Sequence, residues 1–267
     1  MSVGSGLRLS LIGVVVAAWS TVCGIGGGLF AVPILHYVYR MPMRRAVATS
    51  LGLVAASTFM ATISEAFHPG SFLNWPVVGV LVVGSLLGAQ VGYRVAQRVS
   101  VRSLKALFAA LVLLVALRLF KGGASDFMEV SGATLGAWEV ALVACIGFGS
   151  GFVAPLLGIG GGLVAVPSLY FGLPDLGYLG ARASSIAMAV VNSSRSLWLH
   201  GAAGRVDLEC AFWFGLGGAT GAVAGVQLVH LPEVAPVARS MMALTLMVVS
   251  ARFAWDVLSE RRDSPED

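Results

Sequence analysis

Two short runs hold the residues best suited to chemistry. Gly24-Ile25-Gly26-Gly27-Gly28-Leu29-Phe30-Ala31-Val32-Pro33 recurs as Gly158-Ile159-Gly160-Gly161-Gly162-Leu163-Val164-Ala165-Val166-Pro167, nine of ten positions agreeing at an offset of 134. Consecutive glycines, each costing about 1 kcal/mol relative to Ala, do not sustain a helix. Pro33 and Pro167 then remove a backbone donor one turn further on. Each run should therefore break one helix and start another, at Leu29 in the first copy. A helix N-terminus offers free N–H groups and about half a positive charge, so it binds anions without any lysine. Gly26, Gly27 and Gly28, with Gly160, Gly161 and Gly162, are the first candidate ligands. The alternative, that glycines only let helices pack closely, suits Gly84/Gly88/Gly92 and Gly217/Gly221/Gly225 better, spaced four apart in uninterrupted runs. A soluble phosphate loop is excluded, since no Lys-Ser/Thr follows either run.

Polar residues inside apolar sequence form the second set. Ala48-Thr49-Ser50 is answered by Ala183-Ser184-Ser185. Thr49, Ser50, Ser184 and Ser185 could donate hydroxyls to an oxyanion or merely cap helices. Arg195 lies among Asn192, Ser193, Ser194 and Ser196 with apolar turns on both sides. Burying it would cost about 2.5–3.5 kcal/mol, so it should face a cavity, with Asn192 beside it, or pair with Glu65 or Asp207. Arg45 and Arg182 read as interfacial charges. Glu65 and His200 occupy matching positions at an offset of 135 and are candidates for proton coupling. The four histidines lie far apart and no HExxH is present, so neither a metal nor a cofactor is expected.

The elements that must position these residues are membrane helices. The chain has 267 residues, 57% hydrophobic and 11% charged, with a mean hydropathy of +0.88. A soluble domain carries roughly 25% charged residues, so lipid must be the solvent for most of this surface. Apolar blocks fall at about 9–39, 46–67, 76–97, 103–120, 134–172, 180–201, 208–230 and 235–256. The net charge of +4 comes mainly from basic residues in short loops, the positive-inside pattern, and excludes a nucleic-acid groove. Cys23, Cys145 and Cys210 are scattered singly, and no cleaved signal peptide is expected. Tryptophans toward the block ends fit an interfacial belt.

The register continues beyond the glycine runs, with Gly84/Gly88/Gly92 answering Gly217/Gly221/Gly225 and Arg118 answering Arg252. This predicts an all-α polytopic membrane protein of two homologous halves, a construction recurrent in transporters. The first repeat covers 1–122, a linker 123–133, the second repeat 134–259, and a disordered tail 260–267. If each glycine block is a re-entrant hairpin, each half adds three spanning helices and the copies are inverted. If each block spans, there are eight spans and the copies are parallel. The hairpin reading puts twelve of the sixteen basic residues other than Arg195 inside, and eight spans put nine there. Positive charge favours the cytoplasm, so inversion is preferred, with the glycine tips at mid-depth.

The G-I-G-G-G-x-x-x-V-P signature in both halves, each followed by Ala48-Thr49-Ser50 or Ala183-Ser184-Ser185, resembles the TauE/SafE family of sulfite and organosulfonate exporters. The resemblance covers nearly the whole chain, although Pro155-Leu156-Leu157 departs from the pattern ahead of the second run. It implies a secondary transporter in the bacterial cytoplasmic membrane, moving sulfite, thiosulfate or an organosulfonate such as sulfoacetate. Proton or sodium coupling and a homodimer are further expectations. The alternatives are an intramembrane enzyme, for which no nucleophile–base pair is visible, and an anchor subunit, which would not need matched glycine hairpins.

Overall fold

The computed structural model describes residues 3–96, 135–231 and most of 233–251, with Trp255. The expected span at 103–120, the linker 123–133, the tail 260–267 and the Arg118/Arg252 correspondence lie outside the described residues. Within them the chain is helical: α1 (Val3–Cys23), α2 (Gly28–Pro33, prolonged by a wide π-helical turn over Ile34–Val38), α3 (Met43–Ala66), α4 (Trp75–Ala96), α5 (Ala137–Leu157), α6 (Gly162–Gly172), α7 (Gly177–Ala202) and α8 (Leu208–Val229). Ser5–Cys23, Met43–Ala66, Trp75–Val95, Ala137–Leu156 and Leu208–Val229 are each long and apolar enough to cross a bilayer. This is a multi-pass helical membrane protein.

Small residues decide which helices touch. Gly84, Gly88 and Gly92 of α4 lie against the carbonyls of Ala144, Phe148 and Phe152 of α5, leaving no room for a Cβ. Gly217, Gly221 and Gly225 of α8 lie in the same way against Ser10, Val14 and Ala18 of α1. Without hydrophobic drive between helices in lipid, such backbone-close seams supply the van der Waals contact that holds a bundle together. The packing role expected for these two series holds. Both numberings rise together along each seam, so α4 and α5 run in one direction, as do α1 and α8.

The remaining contacts orient the rest. Gly52 meets Ala211, and Ser64 meets Gln227, so α3 runs with α8. Gln90 meets Arg195, and Tyr93 meets His200, so α4 runs with α7. Arg182 near the start of α7 meets Glu65 at the end of α3, so those two run in opposition. Leu35, beyond α2, clusters with Leu9 and Ala46 near the starts of α1 and α3. The chain therefore goes out along α1, turns at the glycines and returns to the end of the bundle where it began. α1 is longer than the arm expected from residue 9. Its 21 residues amount to about 31 Å at 1.5 Å per residue. Within the extension, Gly6 lies directly on the Trp213 ring.

Candidate glycine-turn site

Each glycine run makes the same turn. Gly24, Gly26 and Gly27 have φ of 78°, 78° and 87°, and Gly158, Gly160 and Gly161 have 71°, 75° and 91°. Side chains carry a penalty of roughly 1–2 kcal/mol in this left-handed region, which is why glycine recurs at these three places. The two turns meet. A Cβ on Gly162 would stand 2.6 Å from the Gly24 carbonyl oxygen, and one on Gly28 would stand 2.6 Å from Ile159 Cα. The contact is reciprocal because Gly24 corresponds to Gly158, and Gly28 to Gly162. Each turn leads into a helix whose first backbone N–H groups have no intrahelical acceptor.

The polar surroundings of the two turns differ. At the first, Ser57 Oγ donates to Gly26 O at 3.4 Å and to Val54 O at 3.1 Å. At the second, the matching position carries Asn192, wholly buried, with Nδ2 3.2 Å from where a Gly161 Cβ would lie. Neither polar atom of the Asn192 amide has a hydrogen-bond partner among the described residues. Ser150 on α5 and Ser196 one turn along α7 are likewise buried and unpartnered. His200 follows a further turn on, 6% exposed, edge-on to the Tyr93 ring at 5.5 Å between centroids. An unmet buried polar group costs about 1–3 kcal/mol, and Asn192, Ser196 and Ser150 are three such groups among the described residues.

The other expected site residues are dispersed. Thr49 and Ser50 do not start or cap α3; they lie inside it, because the helix begins at Met43. Ser50 Oγ donates to Val47 O at 2.8 Å and to Gly158 O at 3.3 Å, and Thr49 Oγ1 accepts from Asp207 N at 3.0 Å. Ser184 and Ser185 are also interior to their helix, buried and without hydrogen-bond partners among the described residues.

Arg195 does not face a buried cavity. It is exposed, donates to Gln90 Oε1 at 3.1 Å and lies over the Trp198 ring at 5.5 Å. It lies one turn along α7 from Asn192, with its side chain turned to Gln90 and Trp198. Neither pairing considered for it forms, since Asp207 takes exposed Arg45 at 3.1 Å and Glu65 takes Arg182.

Arg182 is the buried cation that the sequence reading misplaced at an interface. It is 0% exposed, with Nη2 2.6 Å from Glu65 Oε2 and Nη1 donating to Thr21 O at 3.1 Å. Its Cγ lies 2.8 Å from where a Gly24 Cβ would stand. Glu65 also accepts from Phe72 N at 3.1 Å and meets His230 Nε2 at 3.1 Å. The signal for this was a helix start set too late. Once α7 begins at Gly177, Arg182 lies more than a turn inside it.

Comparison with known proteins now bears on the same residues. The Sulfite exporter TauE/SafE family profile matches residues 2–119 and 143–266, so both glycine turns fall within it. The chain belongs to the TauE/SafE family. Relatives carry transporter names: a "Probable membrane transporter protein" of Xylella fastidiosa is 31% identical over 113 residues, 42% of this chain and 42% of its own. The "Probable membrane transporter protein MamO" of Magnetospirillum gryphiswaldense is 30% identical over 118 residues, 42% of this chain and 19% of its own. The chain thus covers less than half the length of either relative. No solved structure matches it.

Proposed function

We propose that the chain is a secondary transporter of small sulfur-containing anions, sulfite, thiosulfate or an organosulfonate such as sulfoacetate, working by alternating access around the facing glycine turns. The observation that carries this is the Asn192 amide, wholly buried and unpartnered beside the Gly160–Gly162 turn and the N-terminus of α6. An anion there would accept from Asn192 Nδ2, from serine hydroxyls and from backbone N–H groups at the positive end of the helix dipole. The family's association with sulfite supports the substrate class.

In this reading the halves are inverted repeats, which the seam directions support. α1 runs with α8 and against α7, whereas its counterpart α5 runs with α4 and α7. One end of the bundle carries Arg40, Arg44, Arg45 and Arg205, and the other His68, Asp175 and Glu233. Positive charge favours the cytoplasm, so the arginine end faces inward in the bacterial inner membrane.

The test is Asn192→Leu in purified protein reconstituted into liposomes. Removing an unsatisfied buried amide should leave melting temperature unchanged or raised. Counterflow of labelled sulfite, thiosulfate and sulfoacetate should fall at least tenfold. Wild-type counterflow in Asn192→Leu would overturn the site, and none in the wild-type protein would overturn the substrate class.

A further inference from the structure

The buried Arg182–Glu65 pair sits where an ion pair is hard to justify as stabilisation. Desolvating two charges costs about what their attraction returns, and apolar residues of similar volume often do as well. The pair joins the two halves, and the symmetry-related positions carry none: Val47 answers Arg182, and His200 answers Glu65. The pair also lies beside the glycine turns, with Arg182 packed on Gly24. Arg182 Nε has no hydrogen-bond partner in the described structure, so the guanidinium keeps donor capacity in reserve.

Glu65 has a route to water. His230, just past the end of α8, holds Nε2 3.1 Å from Glu65 Oε1, and its side chain is 8% exposed. Its Nδ1 faces exposed Gly70, 3.8 Å from where a Cβ there would lie. The charged and titratable groups around Glu65 are then Arg182 from α7, His230 after α8, His68 stacked on His230 at 3.6 Å, and Cys23 at the end of α1.

Building on the anion-transport reading, we propose that Glu65 is the proton site of a proton–anion symport. A proton delivered through His230 converts the Glu65 carboxylate to the acid, and the Arg182 guanidinium it releases takes the transported anion at a station of its own, about 15 Å along α7 from the Asn192 station.

The charge balance makes the two cargoes obligatory partners. With Glu65 ionised and no anion, the site is neutral, Arg182 against Glu65. With Glu65 protonated and a monovalent anion on Arg182, it is neutral again. The two half-loaded states carry a net charge in low dielectric, and an uncompensated buried charge is costly enough to keep them rare. Only the neutral states cross between the two faces, so proton and anion move together. Proton release on the far side lets Glu65 reclaim Arg182 and expel the anion.

The experiment uses methanesulfonate, a monovalent organosulfonate whose charge is constant between pH 6 and 8, on full-length protein in liposomes. Counterflow without a pH gradient measures anion exchange, and uptake driven by an acid exterior measures coupling. Glu65→Gln should retain counterflow but lose at least tenfold of gradient-driven accumulation. His230→Gln, at the helix end and away from the Arg182 contact, should slow gradient-driven uptake several-fold with counterflow intact. If Glu65→Gln does not fold, His230→Gln decides. Wild-type gradient-driven uptake in either folded variant overturns the symport. Absence of counterflow in the wild-type protein overturns the transport reading beneath it, and the symport with it.

Discussion

Gly162 and Gly79 offer the same substitution in opposite surroundings. Both are helical with ordinary φ, so Gly→Ala at either should gain about 0.5–1 kcal/mol from lost backbone entropy in the unfolded chain. At Gly79 nothing lies within 4 Å of the new Cβ. At Gly162 the Cβ would stand 2.6 Å from the Gly24 carbonyl oxygen, a backbone atom that cannot swing aside. Restoring ordinary contact requires one turn to withdraw from the other by roughly 0.8 Å, and overpacking of that kind costs about 1–3 kcal/mol. The penalty outweighs the entropic gain, so the two variants should differ in sign. At about 2–4 °C per kcal/mol for a chain of this size, Gly79→Ala should melt about 1–4 °C higher and Gly162→Ala lower, by up to about 10 °C. Thermal denaturation of detergent-purified protein reads both, and counterflow should vanish only for Gly162→Ala. A Gly162→Ala protein melting at or above wild type would refute the claim that the two turns pack on one another through bare backbone.

Three other outcomes follow from side chains. Arg195→Ala should leave transport within about twofold of wild type, as expected for an exposed contact worth less than about 1 kcal/mol, whereas Arg182→Ala should destabilise by about 3–5 kcal/mol by stranding Glu65; equal effects in melting and flux would contradict the assignment. Burial holds His230 below its ordinary value of 6.5, with Glu65 opposing in part. The unfolded chain then binds the proton more readily, so stability should fall as pH drops through about 6.5 toward the folded value, and His230→Phe should flatten that slope in pH-dependent melting. In a Cys-free background, cysteines at Met41 and Gly204 should be shielded from an impermeant reagent in intact cells and one at Ser71 labelled; labelling at Met41 and Ser71 together would place both ends of α3 outside.

Much of the architecture was legible because glycine leaves a mark that periodicity does not. Three positive-φ positions in each copy require glycine, and the seam glycines are forced by backbone contact, so the break, the repeat and the packing series could be read directly. Polar side chains were harder, because direction around a helix depends on where that helix begins. Starting the block at residue 180 made Arg182 a terminal charge and left Arg195 as the interior one. With α7 beginning at Gly177, the assignments exchange, and Arg195 turns out toward Gln90 and Trp198. Thr49 and Ser50 were misjudged for the same reason. Their hydroxyls serve α3 itself, the Gly158 carbonyl and the Asp207 amide, none of which is near in sequence.

A duplicated scaffold need not give two equivalent sites, and here the departures from symmetry fall where chemistry needs them. Ser57 closes its hydrogen bonds onto its own helix and turn, while Asn192 at the matching position leaves both amide atoms open. Val47 and His200 on one side answer Arg182 and Glu65 on the other, so only one turn has a cation and a carboxylate that can separate. The symmetric features are backbone: positive-φ glycines, close seams, the reciprocal contact of the turns. Under the proposed alternating access, backbone geometry has to be shared, because each half would adopt the other's conformation. Side chains are free to diverge, as the proposed anion transport requires. The conserved symmetry thus belongs to the motion and the broken symmetry to the cargo. Making Asn192 and Ser57 alike should therefore impair binding more than rocking.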